Sequence, residues 1–134
     1  MANAMPHDRV YARLGISQIA GVGVFAIRPI PKGTNVFADD QRSISWVDAA
    51  KVEALAKGSP ERSFYEEFGI RRGDRIGCPA SFNLLTTGWY LNEPRDGDEP
   101  NLTVTDDFQM IAPRDIAEGE ELTIRYDGFS DTGD

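Results

Sequence analysis

Short apolar runs separated by polar residues and turns recur along the chain, and this pattern predicts strands more often than helices. Val10–Leu14 and Val22–Ile27 have the composition of strands, and a glycine-rich turn through Gly21 and Gly23 joins them. Two further runs flank a pair of aspartates and predict a hairpin, and a last run follows a Glu-Gly-Glu turn. These three runs are Leu102–Thr105, Phe108–Ala112 and Leu122–Tyr126.

Two helices are predicted between the early and the late strands. Asp48 is a suitable N-cap for a helix over Ala49–Lys57, and Gly58 would end that helix. A second short helix is predicted over Pro60–Phe68, again with a glycine directly behind it. Many short strands, two modest helices and 21 glycine and proline residues indicate a loop-rich fold that is mainly β with short helices.

The acidic excess of the chain is confined to its last third. The 134 residues carry a net charge of −8, yet residues 1–92 hold 11 basic and 9 acidic residues, a net charge of +2. Residues 93–134 hold 3 basic and 13 acidic residues, a net charge of −10. This balance disfavours direct nucleic-acid binding and attraction to anionic membranes, and it leaves a basic protein or peptide as a partner. A solvated acidic loop and tail is the alternative explanation.

The scarcity of cysteine and histidine excludes several kinds of site. Cys78 is the single cysteine and His7 the single histidine, so neither a disulfide framework nor a metal site of several thiolates or imidazoles is expected. The sequence has no secretory signal and no apolar run of membrane-spanning length. We therefore expect a cytoplasmic protein of one domain, without a metal and without a membrane segment.

Three stretches carry candidate chemistry, and each also has a purely structural explanation. Gly21-Val22-Gly23 would let a ligand approach the backbone closely, although a tight turn also explains the glycines. Asn92 and Asn101 carry amides that could read an adenine-like edge or fix a loop crossing, in a stretch whose composition also suits turns. Tyr126, at the end of the last predicted strand, either anchors the edge of the core or holds a hydroxyl at a reaction centre.

Taken in order, these motifs resemble the SET domain family, whose members are S-adenosylmethionine-dependent protein-lysine methyltransferases. The series is Gly-x-Gly-Val-Phe-Ala, Ile-Pro-Lys-Gly-Thr, an aromatic-Leu-Asn with a later Pro-Asn, and Gly-Glu-Glu-Leu-Thr-Ile-x-Tyr. The match spans roughly residues 10–127 and is similar to the minimal bacterial and viral versions of the domain, which lack a cysteine-rich tail. It implies a β-clip fold with a knot-like C-terminal crossing and a helical insert at about residues 45–69. Residues 1–9 would form a flexible arm and residues 128–134 an acidic tail.

The resemblance also implies which residues bind the cofactor. Gly21, Val22 and Gly23 would line the S-adenosylmethionine pocket through their backbone. Asn92, together with the backbone of Glu93, would hold the cofactor from the other side. No metal is needed for this chemistry, because methyl transfer to an amine requires alignment, a neutral lysine and exclusion of water.

A narrow channel for the substrate lysine is the second implied feature. Tyr126 would be the catalytic tyrosine at its inner end, and Tyr90 and Phe129 would help to wall it. The family pattern has histidine where this chain has Glu93, the link from Asn92 to Asn101 is about three residues longer, and no cysteine-rich tail closes the channel. Either a homodimer partner or the substrate would then complete the channel, or the channel is open and activity is poor. A catalytically weak or inactive module that binds a protein or the cofactor, and an unrelated small β-rich binding domain, are the alternatives.

Overall fold

The computed structural model describes residues 5–38, 40 and 44–125, and within them the chain folds into short strands and short helices. Two turns of 3₁₀ helix, Phe82–Leu84 and Thr87–Tyr90, precede the loop that carries Asn92. The other elements, in chain order, are β1 (Ala12–Ile16), β2 (Val22–Ala26), β3 (Ser45–Asp48), α1 (Ala49–Glu53), α2 (Pro60–Phe68), β4 (Ile70–Arg72), β5 (Arg75–Cys78), β6 (Thr103–Val104), β7 (Met110–Ile111) and β8 (Glu121–Leu122). The expected class, mainly β with short helices, is confirmed.

The first sheet brings the two ends of the described chain into one sheet, on either side of β2. Its strand order is β1-β2-β8, and all pairs are antiparallel. Val24 lies opposite Leu122, and both side chains are fully buried in one core. That core is fully buried at its centre, and its largest members are Ile30, Leu102, Ile116, Leu122, Ile124 and Val24. Burial of these branched side chains is the main stabilising contribution to this half of the fold.

The last predicted strand is shorter than the sequence pattern indicates. Regular pairing with β2 covers only Glu121–Leu122, whereas the pattern predicts a strand over Leu122–Tyr126. Beyond Leu122 the backbone pairs with a loop instead: the Ile124 N–H donates to the Asn92 carbonyl at 3.1 Å, and the Leu102 N–H donates to the Thr123 carbonyl at 3.1 Å. The segment therefore runs between the two ends of the 93–101 loop, while the knot-like crossing itself stays a prediction.

The second sheet is not among the elements that the sequence pattern predicts. Its order is β3-β5-β4, with β5 in the centre and every pair antiparallel. Arg72 pairs with Arg75 across a two-residue turn, in which Gly73 has a φ of +61°. Glycine is favoured there because other residues are strained at positive φ. Ile76 and two residues of α1 form a small separate core under this sheet.

The helices agree with the prediction in place and differ in one boundary. Helix α2 spans Pro60–Phe68, as predicted, with the Ser59 hydroxyl accepting a hydrogen bond from the Arg62 N–H at its start. Helix α1 ends at Glu53 rather than at Lys57. The reason lies in Arg62, whose guanidinium donates to the carbonyls of Glu53 and Leu55 at 3.3 and 3.1 Å and so satisfies the end of α1 early.

The third sheet is the hairpin of β6 and β7, which the sequence predicts around two aspartates. Its loop contains Phe108, the one described residue other than glycine with a positive φ, at 65°. The Phe108 ring lies 6.3 Å from the Trp46 ring, and the Arg72 guanidinium stacks over it at 4.9 Å. These contacts join the hairpin to the second sheet and hold Phe108 in its strained backbone conformation.

Candidate functional site

The turn between β1 and β2 is held by hydrogen bonds around Ser17. The Ser17 N–H donates to the Gly21 carbonyl at 2.8 Å, which closes the turn. The Ser17 hydroxyl oxygen accepts hydrogen bonds from the N–H groups of Ile19 and Ala20, at 2.9 and 3.2 Å. Gly21 has a φ of +46°, so glycine at this position serves the turn. The loop is thus a defined turn whose carbonyl groups have fixed directions.

Asn92 reaches this turn from the opposite side of the site. Its Nδ2 lies 3.1 Å from the Ala20 carbonyl oxygen and 3.2 Å from the Val22 carbonyl oxygen. The structure therefore brings Asn92 together with the Gly21–Gly23 segment, although they are about seventy positions apart in sequence. Glu93 follows Asn92 directly and is half-buried. The residues predicted to bind a cofactor are neighbours in space.

Glu121 completes the cluster, and the sequence motifs did not single it out. Its carboxylate accepts a hydrogen bond from the Ser17 hydroxyl at 2.8 Å and another from the Asn92 Nδ2 at 2.9 Å. A Cβ added at Gly23 would lie 2.8 Å from the Glu121 Cδ, which is a clash. The signal in the sequence was Gly23 itself, because glycine inside a strand often marks a close approach by another group.

Asn101 fixes a loop, which is one of the two roles that the sequence suggests for the asparagines. It is 5% exposed, its Oδ1 accepts from the Thr123 N–H at 2.7 Å, and its Nδ2 donates to the Glu121 carbonyl at 2.9 Å. The oxygen and the nitrogen of the side-chain amide are therefore hydrogen-bonded to the backbone on either side of Leu122. Asn101 thereby ties the 93–101 loop to β8 and fixes the backbone from which the Glu121 side chain extends.

A crevice of about 520 Å³ opens beside this cluster. Its volume lies in the range of small-molecule sites. It is bordered by the β1–β2 turn, the 94–101 loop and the start of β8, and Glu121 belongs to its lining. Arg95 crosses one side of the crevice and donates to the Gln18 carbonyl at 2.8 Å, which adds a second link between the loop and the turn.

Tyr90 belongs to an aromatic cluster on the other side of Asn92. Its ring meets the Phe68 ring edge-on, with the centroids 5.6 Å apart, and it also packs against the main core. The Phe82 ring lies 4.8 Å from the Phe64 ring and 5.0 Å from the Tyr65 ring, so α2 and the first 3₁₀ helix are joined by stacked and edge-on contacts. The two remaining predicted residues of the lysine channel, Tyr126 and Phe129, lie outside the described residues.

Three described groups have a shifted pKa, namely Glu120 and Arg114, which pair with each other, and Cys78 in β5. Hydrogen bonding from Arg114 lowers the pKa of Glu120 below its ordinary value, with a further lowering from the Ala117 N–H. Burial raises the pKa of the Cys78 thiol, and its sulfur lies 3.5 Å from the Ser45 carbonyl oxygen. In the ranges that the structure covers, no group of three or more histidine, cysteine or acidic side chains is arranged to hold a metal ion. Nor does any helix in those ranges have both the length and the apolar character to cross a membrane.

Comparison with known proteins identifies a family and a similar solved structure. The family model of the SET domain matches residues 21–127. Among solved structures, the chain is similar to a Plasmodium falciparum protein described as a "putative histone methyltransferase", with a TM-score of 0.50 and 18% sequence identity. That alignment covers 86% of this chain and 91% of the other, and at this identity it bears on the fold. No curated protein matches the sequence.

Proposed function

The chain belongs to the SET domain family, and on this basis we propose that it transfers a methyl group from S-adenosylmethionine to a lysine of a basic protein or peptide. The observation that carries the proposal is the meeting of Asn92 with the glycine-rich turn. Two motifs that the family resemblance assigns to cofactor binding form one polar cluster, with Asn92 Nδ2 at 3.2 Å from the Val22 carbonyl oxygen.

The groups of this cluster suit the proposed cofactor. S-adenosylmethionine carries two positive groups, a sulfonium and an ammonium, and it is favoured where carbonyl and carboxylate oxygens are concentrated. The turn supplies the carbonyl oxygens of Ala20 and Val22, which lie 3.1 and 3.2 Å from the Asn92 Nδ2 and have further lone pairs to offer. The Val22 side chain is 48% exposed and adds an apolar surface for the uncharged part of the ligand. Gly21, Val22, Gly23, Asn92 and Glu93 are the residues that we propose hold the cofactor.

The chain's own residues would then prepare the lysine. When bound, the cofactor supplies the methyl group, and the amine must accept it as a neutral nucleophile. A dry channel lowers the pKa of the lysine ammonium, because burial disfavours the charged form. In this proposal Tyr126 orients the amine through its hydroxyl at the inner end of the channel, and Tyr90 and Phe129 exclude water along its walls.

A binding and turnover experiment with one conservative variant tests the proposal. Calorimetric titration with S-adenosylmethionine should give saturable binding to the wild-type protein. A labelled-methyl assay on histones and basic ribosomal proteins should then give turnover, and Tyr126→Phe should lower kcat by about 100-fold while the cofactor Kd changes little. Full turnover in the phenylalanine variant would remove Tyr126 from the catalytic role, and absence of cofactor binding would refute the enzyme proposal.

The preference for a basic substrate rests on the charge of the last third of the chain. Asp96, Asp98 and Asp106 are exposed within a stretch that has a net charge of −10, and such a surface attracts cationic peptides at long range. Changing these three residues to lysine should weaken peptide binding at low salt by about tenfold or more, and the difference should shrink at high salt.

The matched control has the same change in net charge at another place. Asp48, Glu67 and Asp74 are also exposed, and they lie on the second sheet and its helices. Their change to lysine should weaken peptide binding much less. Equal effects of the two triple variants would show that only the total charge matters, and the acidic surface would then not define the substrate.

A catalytically weak module that binds the cofactor or a protein partner is the second candidate. The feature that favours it is Glu93, which stands where the family pattern has histidine. The same experiments separate the two candidates, because this one gives cofactor or peptide binding without turnover on any of the basic substrates. Glu93→His is the decisive variant: a gain of turnover would identify Glu93 as the residue that suppresses activity.

A further inference from the structure

We propose that Glu121 is a positioning residue, whose carboxylate orders the β1–β2 turn and sets the orientation of the Asn92 amide at the cofactor site. The inference rests on the proposed function for the identity of the ligand. The ordering of the turn is a property of the protein alone, so it can be measured without any ligand.

The first part of the argument concerns the direction of hydrogen bonds through Ser17. A serine hydroxyl has one hydrogen to donate and two lone pairs to accept with. Glu121 accepts the hydrogen at 2.8 Å, so the lone pairs of the oxygen face the N–H groups of Ile19 and Ala20, and the Asn92 Nδ2 lies 3.2 Å from the same oxygen. Without the carboxylate, the hydroxyl hydrogen would turn toward other acceptors, and the amides of the turn would lose a well-aligned partner.

The second part concerns the two ends of the Asn92 amide. A carboxylate repels an amide oxygen and attracts an amide N–H, so Glu121 at 2.9 Å adds to the Ala20 and Val22 carbonyls in making Nδ2 the end that faces the turn. The Oδ1 end is consequently turned away from the Glu121 carboxylate. An acceptor presented in this way suits the ammonium group of the proposed cofactor.

The third part concerns the space that the carboxylate needs. Glu121 pairs with Phe25, and its side chain lies on the face of β2 that also carries Gly23. A Cβ at Gly23 would stand 2.8 Å from the Glu121 Cδ and 3.0 Å from the Ser17 Cβ. The second glycine of the motif is therefore required by an internal carboxylate, and an alanine there would force Glu121 away from Ser17 and Asn92.

The test begins with the protein free of ligand. Amide hydrogen exchange measured by NMR should show the N–H groups of Ile19 and Ala20 exchanging about tenfold faster in Glu121→Ala, with a smaller change in Glu121→Gln, which keeps one acceptor oxygen. The amides of β5 should not change, because β5 is paired with β3 and β4 in a separate sheet. Unchanged exchange at both turn amides in Glu121→Ala would overturn the proposal, as would faster exchange spread equally over both sheets.

The neighbouring glutamate provides the matched control. Glu120 accepts hydrogen bonds from Arg114 and from the Ala117 N–H, and it makes none to the turn. Glu120→Gln removes the same charge one residue away and should leave the exchange of the turn amides at the wild-type rate. A turn that loosens equally in the Glu120 and Glu121 variants would show that charge, and not the hydrogen bonds of Glu121, orders it.

Two further variants test the coupling to Gly23 and to the cofactor. Gly23→Ala should loosen the turn as Glu121→Ala does, and the double variant should be no worse than either one, because both changes remove the same interaction. Independent, additive effects would contradict this.

In calorimetry with S-adenosylmethionine, Glu121→Ala should raise the Kd about tenfold, and Glu120→Gln should leave the Kd unchanged. An unchanged Kd in Glu121→Ala would overturn the link to the cofactor. If the wild-type protein binds no S-adenosylmethionine, the proposed function fails, while the exchange results still decide the positioning role.

Discussion

Removal of the Asn101 side chain should destabilise the whole fold, because its amide satisfies two backbone groups on either side of Leu122. In Asn101→Ala the Thr123 N–H loses its acceptor at 2.7 Å, and the Glu121 carbonyl loses its donor at 2.9 Å. Thr123 is 5% exposed, so water does not easily replace the lost partner of its N–H. Each unsatisfied buried group costs about 1–3 kcal/mol, which gives a loss of about 2–6 kcal/mol in the free energy of unfolding.

The loss is large compared with the stability of a domain of this size, which is typically about 5–15 kcal/mol. Urea unfolding followed by circular dichroism measures it directly as a lower midpoint at an unchanged slope. Asn83→Ala is the matched control, since Asn83 is exposed and only its backbone N–H is used, by the Ser81 hydroxyl. A loss below about 0.5 kcal/mol in the Asn101 variant would refute the reasoning, because surface substitutions alone have effects of that size.

An aspartate at position 101 refines the same prediction. Asn101→Asp keeps an acceptor for the Thr123 N–H, but it places a second oxygen where the amide donated to the Glu121 carbonyl. Protonation of the new carboxyl restores a donor. The variant should therefore approach wild-type stability as the pH falls and lose stability as the pH rises through the pKa of the buried carboxyl. Parallel pH profiles for the two proteins would contradict this account.

Three further outcomes are expected. Cys78 is 4% exposed, and burial raises the pKa of its thiol, so a thiol reagent at neutral pH should label it only after unfolding; fast labelling of the native protein would contradict its placement. Arg114 lowers the pKa of Glu120, so their pair stabilises the fold above the ordinary glutamate pKa and loses this effect as the pH falls through the lower folded value. Glu120→Gln should cost less than about 1 kcal/mol near pH 7, because the pair is largely exposed, and the difference in unfolding free energy should vanish in acid. Gly69→Ala should lower the melting temperature by several degrees, because the new Cβ would lie 2.7 Å from the Ile76 Cγ2, and an unchanged melting temperature would contradict that clash.

The elements that the sequence predicts well are those with local signals. Helix α2 has a capping serine before it, a proline at its first position and a glycine behind it, and these signals depend on neighbouring residues alone. The second sheet was missed because β4 and β5 are only three and four residues long and contain several arginines. The Gly73-Asp74 pair between Ile70–Arg72 and Arg75–Cys78 was the available signal for this hairpin.

The candidate site was predictable in part. The order of the motifs predicts that Gly21, Gly23 and Asn92 belong to one site. In the structure, the Asn92 amide lies within hydrogen-bonding distance of the segment that carries the two glycines. Glu121 could not be chosen from the sequence, because it stands beside Glu120 and the two residues look equivalent in an acidic stretch. Only the antiparallel register, with Glu121 opposite Phe25, decides which of the two glutamates lies on the same side of the sheet as Gly23.

The polar cluster joins residues that are far apart along the chain, and this has a consequence for how the protein folds. Ser17 and Glu121 are 104 positions apart, and Ser17 and Asn92 are 75 apart. A nascent chain that ends before β8 cannot yet form the cluster, so the site is assembled among the last steps of folding. Any ligand that binds only the finished cluster then draws the whole chain toward the folded state by mass action. A shift in melting temperature is consequently a direct screen for ligands of this site.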